Sequence, residues 1–521
     1  MIGLADSREM KAIDSYSIDT VGIPSMVLME RAAYAVALKI RSVLEHTHGD
    51  KNCGVHKGRE STQRSRDSRG GFQVIAVCGS GNNGGDGLAA VRILYTMGYK
   101  VSWYMAGDMS RATKQTRQQI AILKNLGIGP CSYPQDLMEA EVLVDALFGI
   151  GLTRPVSGHF AEVIDTMNRS AALVCAVDMP SGVSADNGQA PGSAVQADFT
   201  VTFGKLKPGL VLYPGAGLAG QVSVENIGFA PEAADIVEIH TFAYEMADIS
   251  ALLPARRAYS NKGSYGRVLV IAGSPTMAGA CYFSAGAAYR CGCGLVRVFT
   301  VRENHDVILE KLPEAVLSIY DPQQMDAAEA MLKEALSWAD SVVLGPGLST
   351  DVYAGRLVAY TLKNCRVPMV IDADGLNLLA KEPKLWELVP GGAVLTPHIG
   401  EMSRLTGRKA EALTSDIIGA CRDFAREHHV VCALKDARTV ISDGTQTWIN
   451  LSGNDGMATG GSGDVLSGII GAFLAGGLAP LRAASLGCFV HGCAGDAARS
   501  VKGAYGLLAS DIIQYLSNVL R

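Results

Sequence analysis

No run of apolar residues in this chain matches a membrane span. The longest, Gly468 to Leu481, is interrupted by glycines, contains Pro480 and meets Arg482, whereas a spanning helix needs about 18–20 residues. Long basic stretches and acidic tails are missing too, and the net charge is -5, which argues against a nucleic-acid partner. No CxxC pair occurs among the 12 cysteines. Several, such as Cys78 and Cys175, lie inside apolar runs where cysteine behaves as a small hydrophobe, so reduced core thiols and a cytoplasmic location are expected. The opening residues, MIGLADSREMKAID, lack a basic segment followed by an apolar one, so no signal peptide is expected.

What the chain does have is glycine: 59 residues, against a usual share of about 7%. They cluster between apolar runs, as tight strand-to-helix turns require. With 521 residues, 48% hydrophobic and 19% charged, there is material for two or three domains with large cores. Residues 8–45 read as helical from Met10, Ile13, Ile18 and the apolar face Met29 to Leu44. Residues 47–71 hold six basic and three acidic side chains and one aliphatic, Val55, which predicts a solvated loop or disordered insertion. Then short apolar runs alternate with helical segments (Gly87–Tyr95, Ala112–Leu126). The runs are Val74–Cys78, Val101–Tyr104, Val142–Ala146, Leu173–Val177 and Phe199–Phe203, which suit parallel strands buried on both faces. A junction is expected within 230–262, giving domains 1–230 and 231–521. A second series follows: Arg267–Ala272, Leu295–Thr300, Ser341–Leu344, Pro368–Ile371, Ala393–Leu395, Val430–Leu434 and Thr439–Ser442, then an apolar helical region 461–500. Both domains are predicted α/β.

In the first domain a buried strand runs into Gly79-Ser80-Gly81-Asn82-Asn83-Gly84-Gly85-Asp86-Gly87. Glycines let backbone amides converge on an anion beside a helix N-terminus, and the Asn and Asp oxygens suit ribose hydroxyls or a hard cation. Asp145 and Asp178 close two later strands, where ligands of open parallel sheets bind; taken singly, each is also explained as a helix cap. The three segments NNGGDG, DALFGIGLTRP and VDMPSG resemble the NAD(P)H-hydrate epimerase family over residues 1–230. The resemblance implies a Rossmann-like three-layer αβα fold that interconverts the R and S hydrates at C6 of the reduced nicotinamide. It implies that Asn82, Asn83, Gly84, Gly85 and Asp86 hold the hydrated dinucleotide, with Gly149, Ile150, Gly151, Leu152, Thr153, Arg154, Pro155 and Asp178. It further implies that Asn83, Asp145 and Ser181 coordinate potassium, with Asp145 also the candidate proton-transfer group. Gly79, Gly81 and Gly84 fall at GxGxxG spacing, but the resemblance to the epimerases implies that this is not a conventional NAD dehydrogenase.

The second domain carries Thr459-Gly460-Gly461-Ser462-Gly463-Asp464 ahead of a long apolar helix. An amide-lined anion hole with one carboxylate beside it supplies what phosphoryl transfer from a donor to an alcohol needs. This loop is similar to that of ribokinase-like kinases, with serine where sugar kinases commonly have threonine. KGSYG (262–266), GPGL (345–348), DADGL (372–376), TPHIGE (396–401) and KDART (435–439) narrow the resemblance to NAD(P)H-hydrate dehydratases. That resemblance implies a ribokinase-like αβα domain in which Ala280, Gly347, His398 and Asp464 contact the substrate. Lys435, Asp436, Ala437, Arg438, Thr439 and Gly463 would contact adenine nucleotide, ADP being the expected donor and magnesium its companion. Asp464 would take the C6 hydroxyl proton, so that phosphate replaces hydroxide as the leaving group. The expected partners are NADHX or NADPHX, the nucleotide and further copies of the same chain, with no nucleic acid and no membrane. Two alternatives stay open: a small-alcohol kinase in the second domain, and a non-catalytic binding module in the first.

Overall fold

The computed structural model describes residues 1–49 and 72–521. Most of the expected insertion, 50–71, lies outside the described residues. Residues Gly3–Ile239 form one compact unit, and His240–Arg521 with Met1–Ile2 form another; the division falls inside the stretch where the sequence places the junction.

In the first unit the helical N-terminus is not one helix. α1 (Ser7–Ser15) passes through a single π-turn and is separated from α2 (Ser25–Gly49) by Gly22, at φ +84°, and Pro24. Proline biases the residue before it away from helix, which the apolar spacing alone did not reveal. Six parallel strands follow: β1 (Gln73–Cys78), β2 (Lys100–Met105), β3 (Val142–Ala146), β4 (Leu173–Val177), β5 (Phe199–Phe203) and β6 (Gln221–Glu225), in the order β2-β1-β3-β4-β5-β6. α2, α3 (Asn82–Thr96) and α4 (Lys114–Asn125) cover one face, and α5 (His159–Arg169) covers the other. This is the three-layer arrangement expected. The chain reverses its winding between β1 and β3, which puts the loops following those strands at the crevice where such sheets bind ligands.

The second unit is also doubly wound. Its strands are β7 (Thr241–Ala243), β8 (Arg267–Ile271), β9 (Leu295–Val301), β10 (Val316–Tyr320), β11 (Ser341–Leu344), β12 (Met369–Ile371), β13 (Val394–Leu395), β14 (Val431–Leu434), β15 (Val440–Ser442) and β16 (Thr447–Ile449). They run β7-β16-β15-β14-β13-β12-β11-β8-β9-β10. All pairs are parallel from β10 to β14, and β15 is antiparallel to both neighbours. The reversal of winding lies between β8 and β11. α6 (Ala278–Arg290), α8 (Ser462–Ala475), α9 (Pro480–Lys502) and α10 (Ala509–Val519) build the core over one face, and a shorter helix, α7 (Ile399–Thr406), follows β13. The apolar region 461–500 is thus two helices. Among the described residues no helix is long and apolar enough to cross a membrane.

Candidate active sites at the two switch points

The run Asn82–Asp86 is the first turn of α3 and not a loop, so the helix starts five residues earlier than the sequence reading has it. Its N-cap, Gly81, has no capping side chain, which leaves backbone N–H groups unclaimed at a positive helix end. Gly84 permits this: a Cβ there would stand 2.0 Å from the carbonyl oxygen of Gly79.

Beneath that turn sits Asp145, the next-to-last residue of β3 and fully buried. The Ser181 hydroxyl and amide donate to its two oxygens at 2.6 and 2.7 Å, and the Leu147 amide adds a longer bond of 3.4 Å. Burial pushes its pKa up to about 6 against these hydrogen bonds. The Ser181 hydroxyl oxygen accepts from the Phe148 amide at 2.9 Å. Asn83 donates from Nδ2 to the carbonyl of Val177 at 2.8 Å, while its Oδ1 is buried without a partner. An orphaned amide oxygen, a carboxylate and a hydroxyl from adjacent strand ends are the hard donors a potassium ion takes, so these residues fit the ion.

Asp178 has φ +68°, an uncommon backbone for a non-glycine residue and one that clusters at functional sites. Its Oδ1 accepts from Lys207 Nζ at 2.7 Å, Thr202 Oγ1 at 3.0 Å and the Phe203 amide at 3.3 Å. Lys207 is 1% exposed; burial lowers its pKa, opposed by Asp178. Sequence reasoning missed this lysine, because in GKLKPG it reads as a solvated charge. Asp86 is held well above the carboxylate range, first by desolvation and then by the charges of Asp178 and Asp14. Of the expected dinucleotide loop, Gly151, Thr153, Arg154 and Pro155 are exposed, and Gly149, Ile150 and Leu152 are partly covered.

In the second unit the loops after β8 and β11 meet directly, Gly273 donating its amide to the carbonyl of Pro346 at 2.8 Å. Gly347 (φ +62°) faces Ala280, and a Cβ on it would lie 2.8 Å from the Ala280 Cβ; two expected substrate contacts are therefore neighbours. Buried hydroxyls of Ser274 and Thr396 lack partners in the same two-loop and TPHIGE regions.

α8 also begins without a capping side chain, at Gly461; the Ser462 amide turns back to the carbonyl of Thr459 at 3.4 Å, which leaves the amides of Gly463 and Asp464 to face a ligand. Asp464 has its pKa raised to about 7 by desolvation and by Asp372, partly offset by Lys435. Lys435 Nζ donates to Asp372 Oδ1 at 3.0 Å. Burial lowers its pKa, but the carboxylates of Asp372, Glu401 and Asp464 outweigh this and leave it raised. His398 pairs with Lys435 across a parallel bridge and caps α7, its Nδ1 accepting from Gly400 at 2.9 Å and Glu401 at 3.3 Å. Desolvation and the neighbouring Lys435 lower its pKa, and with Nδ1 accepting from two amides the ring's N–H is on Nε2. Asp436 and Ala437 are exposed and Thr439 partly so. Arg438 instead reaches inward, donating to the carbonyl of Leu451 at 2.6 Å. The Ser462 hydroxyl lies 3.3 Å from His491 Nε2, and burial brings that histidine down to about 4. Neither His491 nor Asp372 was among the expected site residues.

Fold and sites define a two-unit α/β enzyme with a nucleotide-type crevice in each unit. Residues 268–518 match the family model described as NAD(P)H-hydrate dehydratase, and residues 25–209 match that of the YjeF-related protein N-terminus. The bifunctional NAD(P)H-hydrate repair enzyme Nnr of Moorella thermoacetica is 36% identical over 99% of this chain and 96% of its own. Its counterpart in Escherichia coli K12 is 36% identical over 86% and 84%. The ADP/ATP-dependent NAD(P)H-hydrate dehydratase of Bacillus subtilis, co-crystallised with ATP and magnesium, is 30% identical over 53% of this chain and 96% of its own, with a TM-score of 0.47. The chain belongs to the family of bifunctional NAD(P)H-hydrate repair enzymes.

Proposed function

We propose that the first unit epimerises the hydrates of NADH and NADPH at C6 and that the second dehydrates the S form at the expense of ADP, releasing AMP and phosphate. The observation that carries this reading is the uncapped first turn of α8, with the Asp464 carboxyl poised at about 7 and the Lys435 ammonium beside it. Asp464 takes the proton of the C6 hydroxyl, and that oxygen forms a bond to the terminal phosphorus of ADP as AMP leaves. Amides of the α8 turn hold the phosphoryl oxygens. The C6–O bond then breaks, phosphate departs with the bonding pair, the ring nitrogen supplies electrons, and loss of a C5 proton restores the double bond. Lys435 and the 436–439 loop hold the nucleotide, while Ala280, Gly347 and His398 border the hydrated ring. Magnesium, bound with the phosphates, neutralises charge in such transfers.

In the first unit Asn83, Asp145 and Ser181 would hold potassium, which supplies positive charge beside the dinucleotide. Asp178, fixed through one oxygen by Lys207, keeps its other oxygen for the substrate, and the α3 turn takes the phosphates. The free state of all eleven described cysteines supports a reducing, cytoplasmic setting. The test uses the full-length protein and the R and S hydrates, with dehydration scored by the near-ultraviolet absorbance of reduced nicotinamide and epimerisation by chromatographic separation of the two hydrates. Asp464→Asn loses dehydration and keeps epimerisation, and Asp145→Ala does the reverse. Loss of both activities in either folded variant refutes the two-site reading, and a stable phosphorylated product returns the second unit to the kinases.

A further inference from the structure

Asp372 follows β12 directly and is 1% exposed. Its two oxygens have different tasks. Oδ1 accepts from Lys435 Nζ at 3.0 Å, at the end of β14. Oδ2 accepts from the Ser467 hydroxyl at 2.5 Å, and the same hydroxyl also contacts the carbonyl of Gly463 at 3.0 Å, one turn back in α8. A Cβ on Gly463 would lie 3.4 Å from Lys435 Nζ and 3.8 Å from Asp372 Oδ2, so the helix start rests on the ion pair itself.

The backbone holds the carboxylate as firmly as the side chains do. The Asp372 amide donates to the carbonyl of Leu344 at 3.0 Å, and its own carbonyl accepts from Gly375 at 2.9 Å. Ala373, the next residue, has φ +49°, a conformation that costs a non-glycine residue about 1–3 kcal/mol and persists only where its surroundings impose it. A buried ion pair is in itself a poor source of stability, and apolar side chains could anchor α8 equally well. What apolar side chains could not do is fix a cation against the turn that receives the phosphoryl group.

We propose that Asp372 is a positioning residue of the dehydratase centre, aiming the Lys435 ammonium with one oxygen and fixing the first turn of α8, and with it Asp464, with the other. The inference rests on reading this centre as the phosphoryl site. It goes beyond that reading by making the two halves of the site one mechanical unit. The charges that act on Asp464 are those of Asp372, Lys435 and Asp374, and the Cys281 thiol of α6 also lies within its field, so removing the Asp372 charge removes one of the influences that hold the Asp464 proton.

The test compares full-length wild type, Asp372→Asn and Ser467→Ala. Calorimetric titration with ADP needs no hydrate, so it stands even if the hydrate is not the substrate. Asp372→Asn weakens ADP about tenfold, the usual scale for losing a residue that orients a ligand contact, whereas Ser467→Ala leaves ADP within about twofold. In dehydration Asp372→Asn lowers kcat about a hundredfold, as expected for misplaced reacting groups, and moves the acidic limb of the pH profile to lower pH. Ser467→Ala lowers kcat about tenfold with the limb unmoved. Epimerisation in the same preparations, together with the thermal melt, reports intact folding. ADP affinity, kcat and pH limb all unchanged in Asp372→Asn would overturn the proposal. Should that variant fail to fold, an unchanged kcat in Ser467→Ala would overturn it. Absence of dehydration in wild type, with ADP binding still weakened in Asp372→Asn, would sink the hydrate reading and keep the positioning role.

Discussion

A carboxyl group that gives up its proton only near neutrality works against the fold that holds it. Asp464 has its pKa raised from 3.8 to about 7, so the folded protein binds this proton more tightly than the unfolded chain does. Stability is therefore lost as pH rises from the ordinary carboxylate value through about 7. Asp464→Asn is expected to raise the melting temperature at about pH 8, by the equivalent of roughly 1–2 kcal/mol after allowance for partial solvent screening, and to leave it unchanged near pH 4. A melt that falls at pH 8 would contradict the assigned shift. The dehydration rate should rise with pH through about 7 as the carboxylate becomes available as a base. Lys207 lets a second side chain be judged the same way. Lys207→Met strands Asp178 beside Thr202 without its cation, which should cost about 3 kcal/mol and lower epimerisation more than tenfold, read by chemical denaturation and by hydrate interconversion. Asp145, Asp178 and Asp464 were legible as strand-end or helix-start carboxylates. Lys207 and His491 were not, since only the packing of the fold turns these side chains inward, and Asp372, a strand-end carboxylate of the same kind, was passed over as part of DADGL.

At the scale of elements, the buried strands declared themselves through continuous β-branched runs, and the α/β class of both units followed from their alternation with helices. The edges did not. Gln221–Glu225 reads QVSVE and is only partly buried, so it carries no apolar run, whereas Val316–Tyr320, VLSIY, is apolar but short and buried only at Ser318 and Tyr320. Helix starts were also displaced. Glycine disfavours helix interiors, yet Asn82–Asp86 is helical because Gly84 lets the first turn of α3 lie on the Gly79 carbonyl. Where two such elements touch, space sets the tolerance. Gly347→Ala places a methyl 2.8 Å from the Ala280 Cβ at a left-handed φ, so it should lose about 1–3 kcal/mol and raise KM for the hydrate more than it lowers epimerisation. Equal damage to both activities would show that the loop is not part of the dehydratase crevice.

For the whole molecule, the division at Ile239 and His240 gives each chemistry its own sheet, switch point and uncapped helix. Spontaneous hydration yields both epimers, and a dehydratase restricted to the S form would leave the R form behind, so the pairing of units makes repair complete. The measurement that tests this most directly mixes the full-length protein with both hydrates, ADP, magnesium and potassium and follows the absorbance of reduced nicotinamide to its plateau. Recovery of all the hydrate is the predicted result. A plateau at the S fraction, or no recovery at all, would contradict it.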